Sequence, residues 1–284
     1  MLVFGGRREE ESPYAVLGVP LEQNPSFREG ARWGPLEVRR ASNYVEFRCE
    51  LSGVDADEVG FYDVGDVPLS YESKEKALSE IEYEIKKVRE ETGKVPLLIG
   101  GEHSITYSAF KALKPDCLVV FDAHLDSREE YLGDRWSHAC WLRRLLEEER
   151  PKRVAVVGAR AYVEEEARFL SNKALFSKNL EGMLRRYLAP CENVYVSVDM
   201  DYFDPSVAPG VSNPEPGGAS FPEFLRHLAE LSHLPLVGAD VVELSPPYDP
   251  SGVTAVYAVR ALLELVTSLK PSLPPYRSPP SPSR

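Results

Sequence analysis

The run Cys117-Leu118-Val119-Val120-Phe121-Asp122-Ala123-His124-Leu125-Asp126 decides the fold. Its apolar half reads as a buried strand, and it ends on an acid and a histidine two residues apart. Side chains two apart on extended backbone leave on the same side, so Asp122 and His124 point the same way from the C-terminal end. A second run, Val194-Tyr195-Val196-Ser197-Val198-Asp199-Met200-Asp201, repeats the design, with Asp204-Pro205 beyond it. Ligands and catalytic groups of open parallel sheets gather at these carboxyl ends.

Outward from these two runs, short stretches rich in Val, Leu and Ile alternate with segments of helical spacing. Strands are expected near 14–19, 60–64, 95–99, 117–122, 153–158, 194–199 and 236–243. Amphipathic helices are expected over 74–91, 104–113, 137–149, 163–170, 178–188, 221–231 and 253–269. The pattern is that of an α/β protein with helices packed on a mainly parallel sheet. A chain of 284 residues can bury a sizeable core, and one domain over 1–270 is expected. Residues 271–284 hold six prolines and four serines and are expected to form a disordered tail.

Composition excludes several partners. A net charge of -12 repels phosphate backbones and anionic lipid and attracts cations, so neither nucleic acid nor membrane is expected. Apolar runs fall far short of a membrane span, and charge arrives too early for a secretory signal, so a cytoplasmic location is expected. The cysteines, Cys49, Cys117, Cys140 and Cys191, include no Cys-x-x-Cys pair. Isolated buried thiols are the expectation, with a disulfide plausible for a hyperthermophile source.

Three of the five histidines fall in one window, in Gly100-Gly101-Glu102-His103-Ser104, in the Asp122-Ala-His124 string and at Ser137-His138. Taken singly, each Asp-x-His or Asp-x-Asp is an ordinary turn or capping pattern. Taken together, acids at neighbouring strand ends would repel one another without a counter-charge, and a cation is the remedy. His103, Asp122, His124, Asp126, Asp199 and Asp201 offer four carboxylates and two imidazoles. That is too many for one tetrahedral zinc and suits two ions sharing carboxylates, manganese first, with iron, cobalt or zinc as substitutes.

These strings resemble the ureohydrolase family, which contains agmatinase and arginase. The resemblance rests on Gly100 to Thr106, Asp122 to Asp126, Ser197 to Pro205 and Asp240 to Asp249. Gly18-Val-Pro20 and Gly30-Ala-Arg32-Trp-Gly34-Pro35 extend it over nearly all the chain outside the tail. It implies a three-layer αβα sandwich, a homotrimer or homohexamer, and two Mn2+ per chain. One ion would take His103, Asp122, Asp126 and Asp199, and the other Asp122, His124, Asp199 and Asp201, with Asp122 and Asp199 bridging. It also implies catalytic roles for His138 in proton relay, Asp126 in orienting the attack and Glu243 in gripping the guanidinium, with His138 and Glu243 as substrate contacts. The chemistry agrees: a guanidinium carbon is a poor electrophile, and water between two divalent ions has a strongly lowered pKa.

The implied substrate is a small cationic guanidino compound, first agmatine, giving urea and putrescine for polyamine biosynthesis. Asp126-Ser127-Arg128-Glu129-Glu130 lacks the asparagine that arginases use for the arginine carboxylate. Glu129, Glu130 and Asp134 are expected to favour an amine tail, and Pro214-Glu215-Pro216-Gly217-Gly218 resembles the agmatinase form of its block. Aminopropylagmatine, giving spermidine, and arginine are the alternative substrates. A single-zinc deacetylase of the related fold is the alternative from another class.

Overall fold

The computed structural model describes residues 2–273. Eight strands form one sheet: β1 (Tyr14–Val19), β2 (Tyr62–Asp66), β3 (Val95–Gly100), β4 (Cys117–Phe121), β5 (Arg153–Val157), β6 (Leu175–Ser177), β7 (Val194–Asp199) and β8 (Leu236–Val242). Their order is β2-β1-β3-β8-β7-β4-β5-β6, and every neighbouring pair is parallel. The helices are α1 (Gly34–Ser42), α2 (Lys74–Thr92), α3 (Ile105–Leu113), α4 (Trp141–Glu148), α5 (Glu164–Leu170), α6 (Leu184–Tyr187), α7 (Phe221–Ala229) and α8 (Val253–Ser268).

Alternation along β4 builds the layers. Val119 and Phe121 face a core shared with α1, α6, α7 and α8, whereas Leu118 and Val120 face one shared with α2, α3, α4 and α5. The result is an αβα sandwich whose central strands are apolar on both faces. The chain crosses from β3 to β4 over the positions later filled by β8 and β7, and the carboxyl ends of these four strands therefore meet at a topological switch point.

Several expected elements shift. Strand β6 lies in the segment between the expected helices 163–170 and 178–188; with three half-buried residues at the sheet edge, its apolar signal is too short to register. The expected helix 178–188 contracts to Leu184–Tyr187. The expected helix 137–149 opens as a 3-10 turn over His138–Cys140 before α4 begins. Helix α1 follows the Gly-Ala-Arg-Trp string, with Pro35 in its first turn, where proline is tolerated. Of the Pro/Ser-rich tail, Pro271 pairs with Leu236, and Ser272 donates its N–H to the Leu236 carbonyl at 2.8 Å. Residues 274–284 of that tail lie outside the described residues.

The expectation of four isolated thiols is corrected. Cys117 and Cys191 form a disulfide with Cα atoms 6.0 Å apart, while Cys49 and Cys140 remain free and buried. Cys117 opens β4, and Cys191 lies just ahead of β7; Cys117 pairs in register with Val194, so sheet formation carries the two sulfurs together. The bridge closes a loop with a sequence separation of 74, which favours a sizeable entropic stabilisation. Replacing both cysteines by alanine is expected to cost about 2–4 kcal/mol. A denaturant midpoint equal to that of the oxidised parent would show that the bridge contributes nothing. Among the described residues, no helix is long and apolar enough to cross a membrane.

Candidate metal centre

The six expected ligands come from three strand ends. His103 follows β3, Asp122, His124 and Asp126 follow β4, Asp199 closes β7, and Asp201 sits in a 3-10 turn whose N-cap is Asp199. Backbone hydrogen bonds fix the carboxylates before any ligand arrives. Asp122 Oδ1 accepts the His124 N–H at 2.6 Å, Asp199 Oδ1 accepts that of Asp201 at 2.8 Å, and Asp201 Oδ1 accepts that of Ala123 at 3.1 Å. The last of these ties the β7 loop to the β4 loop. Gly101 permits the close approach of β3 to the first loop, because a Cβ there would meet the Leu21 carbonyl oxygen at 2.0 Å.

Two clusters result, and Asp122 belongs to both. In one, His103 Nδ1 lies 3.1 Å from Asp122 Oδ2, 3.1 Å from Asp199 Oδ2 and 3.2 Å from Asp126 Oδ2. In the other, His124 Nδ1 lies 2.9 Å from Asp201 Oδ2 and 3.6 Å from Asp122 Oδ1. Ligand atoms of His103, Asp122 and Asp199, and of Asp122, His124 and Asp201, lie within 4.8 Å of one another.

The residues fit a cation. His103 Nδ1 is buried and has no hydrogen-bond partner of acceptable geometry, although three carboxylate oxygens surround it. A six-coordinate ion with bonds of about 2.1 Å separates neighbouring ligands by about 3 Å, close to these contacts. The electrostatics of the cluster's own side chains carry the same message. Burial alone favours the neutral His103 ring, yet Asp122, Asp126 and Asp199 raise its pKa well above the ordinary histidine value. Burial likewise opposes charge on His124, and Asp201 and Asp122 raise its pKa. Burial and the charges of Asp201 and Asp122 drive the Asp199 carboxyl well upward.

A layer of buried groups orients the ligands. His103 Nε2 meets Ser197 Oγ at 2.9 Å, and Ser197 donates to Asp240 Oδ1 at 2.5 Å. Thr106 and Tyr195 donate to the other Asp240 oxygen at 2.8 and 2.7 Å. Trp141 Nε1 donates to Asp126 Oδ2 at 3.0 Å. Such partners fix the tautomer and direction of a ligand histidine. Ser197 was within reach of sequence reasoning, since it stands two residues before Asp199 on the same strand and so faces the same side. Trp141 gave no local signal.

His138 and Glu243 share the cavity with Asp126, Asp199 and Asp201. Ser137 Oγ accepts the Ala139 N–H and so caps the turn that carries His138. His138 Nε2 lies 2.6 Å from Ser26 Oγ, a partner 112 residues away that sequence reasoning missed. The Ser26 loop is held by Gln23 N–H donating to Glu102 Oε2 at 2.6 Å and by the buried Lys74–Glu102 ion pair. Glu243 follows β8 with a positive φ of 62°, and its Oε1 accepts the His103 N–H at 2.8 Å. Burial raises the Glu243 carboxyl above its ordinary range.

The expected acidic specificity loop is corrected. Glu129 and Glu130 are exposed and absent from the cavity lining, and Asp134 caps the Trp136 N–H at 2.8 Å. From that segment the cavity receives Arg128 and Tyr131, joined on other sides by Glu22, Glu102, Glu166 and Asn213. Asn213 Nδ2 lies 3.0 Å and Glu215 Oε1 3.7 Å from His124 Nε2, which places the Pro214-Glu215 block beside the second cluster.

An arginase-like α/β sandwich with acids and histidines at its central strand ends defines a hydrolase of the ureohydrolase class. Residues 12–267 match the Arginase family, and the chain belongs to that family. It is 36% identical over 244 residues to the agmatinase of Pyrococcus horikoshii, covering 83% of this chain and 85% of that one. It is 32% identical over 255 residues to the N(1)-aminopropylagmatine ureohydrolase of Thermococcus kodakarensis, covering 87% and 88%. The crystal structure of agmatine ureohydrolase from Thermoplasma volcanium superposes with a TM-score of 0.80 at 35% identity, covering 91% of this chain and 90% of that one. Membership of the ureohydrolases removes the single-zinc deacetylase reading.

Proposed function

We propose that the enzyme hydrolyses agmatine to urea and putrescine at a centre of two divalent cations, manganese first. The observation that carries this reading is the pair of His/Asp clusters sharing Asp122, set in one cavity with the Glu243 carboxylate and His138. One ion is assigned to His103, Asp122, Asp126 and Asp199, the other to His124, Asp122, Asp199 and Asp201. Four carboxylates to two imidazoles favour a hard ion such as manganese. Held by these residues, two cations would supply the positive charge that brings a water's pKa into the neutral range.

The chain's own groups do the rest. Glu243 accepts hydrogen bonds from the guanidinium and offsets its repulsion from the centre. Asp126 accepts a hydrogen bond from the attacking oxygen and aims it. His138 gives a proton to the leaving amine nitrogen, which departs as a neutral amine only once protonated. Ser26 holds the imidazole at Nε2 and so sets its tautomer. Arg128 is the one arginine or lysine among the described cavity-lining residues and faces Glu166 at 3.8 Å; of the other acids outside the ligand set, Glu102 is paired with Lys74 and Glu22 with Arg32, so Glu243 and the ligand carboxylates supply the cavity's excess of negative charge. That balance favours a substrate cationic at both ends over one ending in a carboxylate. Aminopropylagmatine shares this feature and remains the second reading. A cytoplasmic homotrimer or homohexamer accompanies the proposal, and exposed Phe27, Trp33, Leu36 and Tyr248 provide apolar surface for association.

Urea release with manganese across agmatine, aminopropylagmatine, arginine and guanidinobutyrate tests the assignment. An amine-tailed guanidine should show the highest kcat/KM at both low and moderate salt. Arginine preferred under both conditions would overturn it. His138→Ala is expected to lower kcat by about 10²–10⁴-fold with metal content intact. Metal depletion in that variant would make His138 a ligand instead.

Proton counting gives an independent check on the centre. Neighbouring carboxylates outweigh burial and raise the pKa of His103 and of His124 above the ordinary histidine value, so ligation by a cation must displace protons from these rings. Manganese binding at pH 7 should therefore release protons, and its apparent affinity should fall as pH is lowered. A pH-stat titration showing no release would place the metal elsewhere.

A further inference from the structure

We propose that Glu166 is a positioning residue that locks the Asp126–Ser127 peptide in the orientation that turns Asp126 into the metal centre. The inference rests on the assignment of Asp126 as a ligand.

Asp126 has a φ of 44°, in the left-handed region that non-glycine residues rarely occupy. The conformation persists because its surroundings over-determine it. On one side the Asp126 carbonyl accepts the Leu142 N–H at 3.0 Å, and the Arg128 N–H donates to the Ala139 carbonyl at 3.1 Å. These bonds tie the turn to the start of α4. Between them the Ser127 N–H, in a fully buried residue, donates to Glu166 Oε1 at 3.0 Å. The other Glu166 oxygen accepts the Val163 N–H at 3.0 Å and closes the first turn of α5, with Arg128 Nε 3.8 Å away.

Glu166 is itself buried, 3% exposed, in a cavity already crowded with carboxylates. Capping a seven-residue helix does not require a buried charge beside Asp126, because solvent can satisfy the end of a short surface helix. The Ser127 contact accounts for it. Without the Glu166 oxygen, the buried Ser127 N–H would be orphaned, and the peptide could recover a partner by rotating. Rotation changes ψ at Asp126, takes it out of the left-handed region and breaks the bond from the Leu142 N–H to its carbonyl, so the turn that aims Oδ2 at Trp141 Nε1 and His103 Nδ1 would relax. One cluster would then lose a ligand. The cluster of Asp122, His124 and Asp201 contains no residue of this turn.

Manganese titration of the full chain by calorimetry, with elemental analysis of the dialysed protein, tests this. Glu166→Ala should weaken one of two ions by about 10–100-fold and leave the other near its parental affinity. Asp126→Ala should weaken the same ion. The double variant should be no worse than Asp126→Ala alone, because Glu166 acts through Asp126. Additive losses, or equal loss of both ions, would overturn the proposal, as would unchanged manganese binding accompanied by a raised KM, which would make Glu166 a substrate contact. Should Glu166→Ala fail to fold, the same cycle applies to Glu166→Gln, whose amide cannot accept from both N–H groups; a several-fold weakening of the same ion is expected, and additivity with Asp126→Ala overturns the proposal. A parent chain that binds a single ion would count against the two-ion reading, while coupling between Glu166 and Asp126 could still be measured on that ion.

Discussion

Asp122→Ala should abolish more activity than any other single truncation, at least about a thousandfold in kcat, because a pair of cations is worth several kcal/mol of transition-state stabilisation. Asp122 is the residue common to both clusters: Oδ2 lies beside His103 and Oδ1 faces the His124 loop. Removing it also releases the His124 N–H, so the loss reaches the orientation of a second ligand. The variant should fold, since Asp122 follows β4 and contributes nothing to the sheet's apolar layers. Elemental analysis should report a deficit at both ions, and near-parental activity would show that the centre has been misplaced. Asp199→Ala makes a useful partner experiment. Asp199 clusters with His103 and Asp122, and its Oδ1 is already engaged by the Asp201 N–H. Equal loss of both ions in that variant would support Asp199 as the second bridge.

The strand ends were legible because two periodicities coincide there. An apolar run, unbroken in β4 and interrupted in β7 by Ser197, marks the two strands, and a spacing of two puts Asp122 with His124, and Asp199 with Asp201, on common sides. Metal-like density of acids then followed from charge alone. What escaped was whatever depends on neighbours remote in the chain. Ser26 meets His138 across 112 positions, and Glu166 meets Ser127 across 39. Neither contact leaves a local pattern. Cys117 and Cys191 were unreadable for the same reason, since strand pairing brings them together and cysteine spacing carries no trace of it. The acids Glu129 and Glu130 misled in the opposite sense. They are close in sequence to Asp126, but the turn that points Asp126 inward sends them to the surface, and Arg128 and Tyr131 take their place in the cavity.

Glu243→Gln is the second large effect expected, and it separates substrate grip from metal binding. Glu243 is not a member of either cluster, and its backbone is fastened by its own N–H to the Gly101 carbonyl at 2.8 Å. One carboxylate oxygen is occupied by the His103 N–H, an interaction that glutamine can reproduce with its amide oxygen. The variant therefore keeps the scaffold and the ligands while losing the negative charge. That charge is buried and, without a cation opposite it, costly, as the raised Glu243 pKa indicates. In the proposed reading an incoming guanidinium would supply that partner, and substrate recognition would be coupled to relief of a buried charge. Breaking one half of such a pair costs about 3–5 kcal/mol, on the order of a hundred- to a few-thousandfold in kcat/KM. Manganese content and affinity should stay close to the parental values. Should both ions be lost together with activity, Glu243 would belong to the metal centre; should kcat/KM stay within a few-fold of the parent, the guanidinium would have to be gripped elsewhere in the cavity, with Glu22 and Glu102 as the next acids to replace.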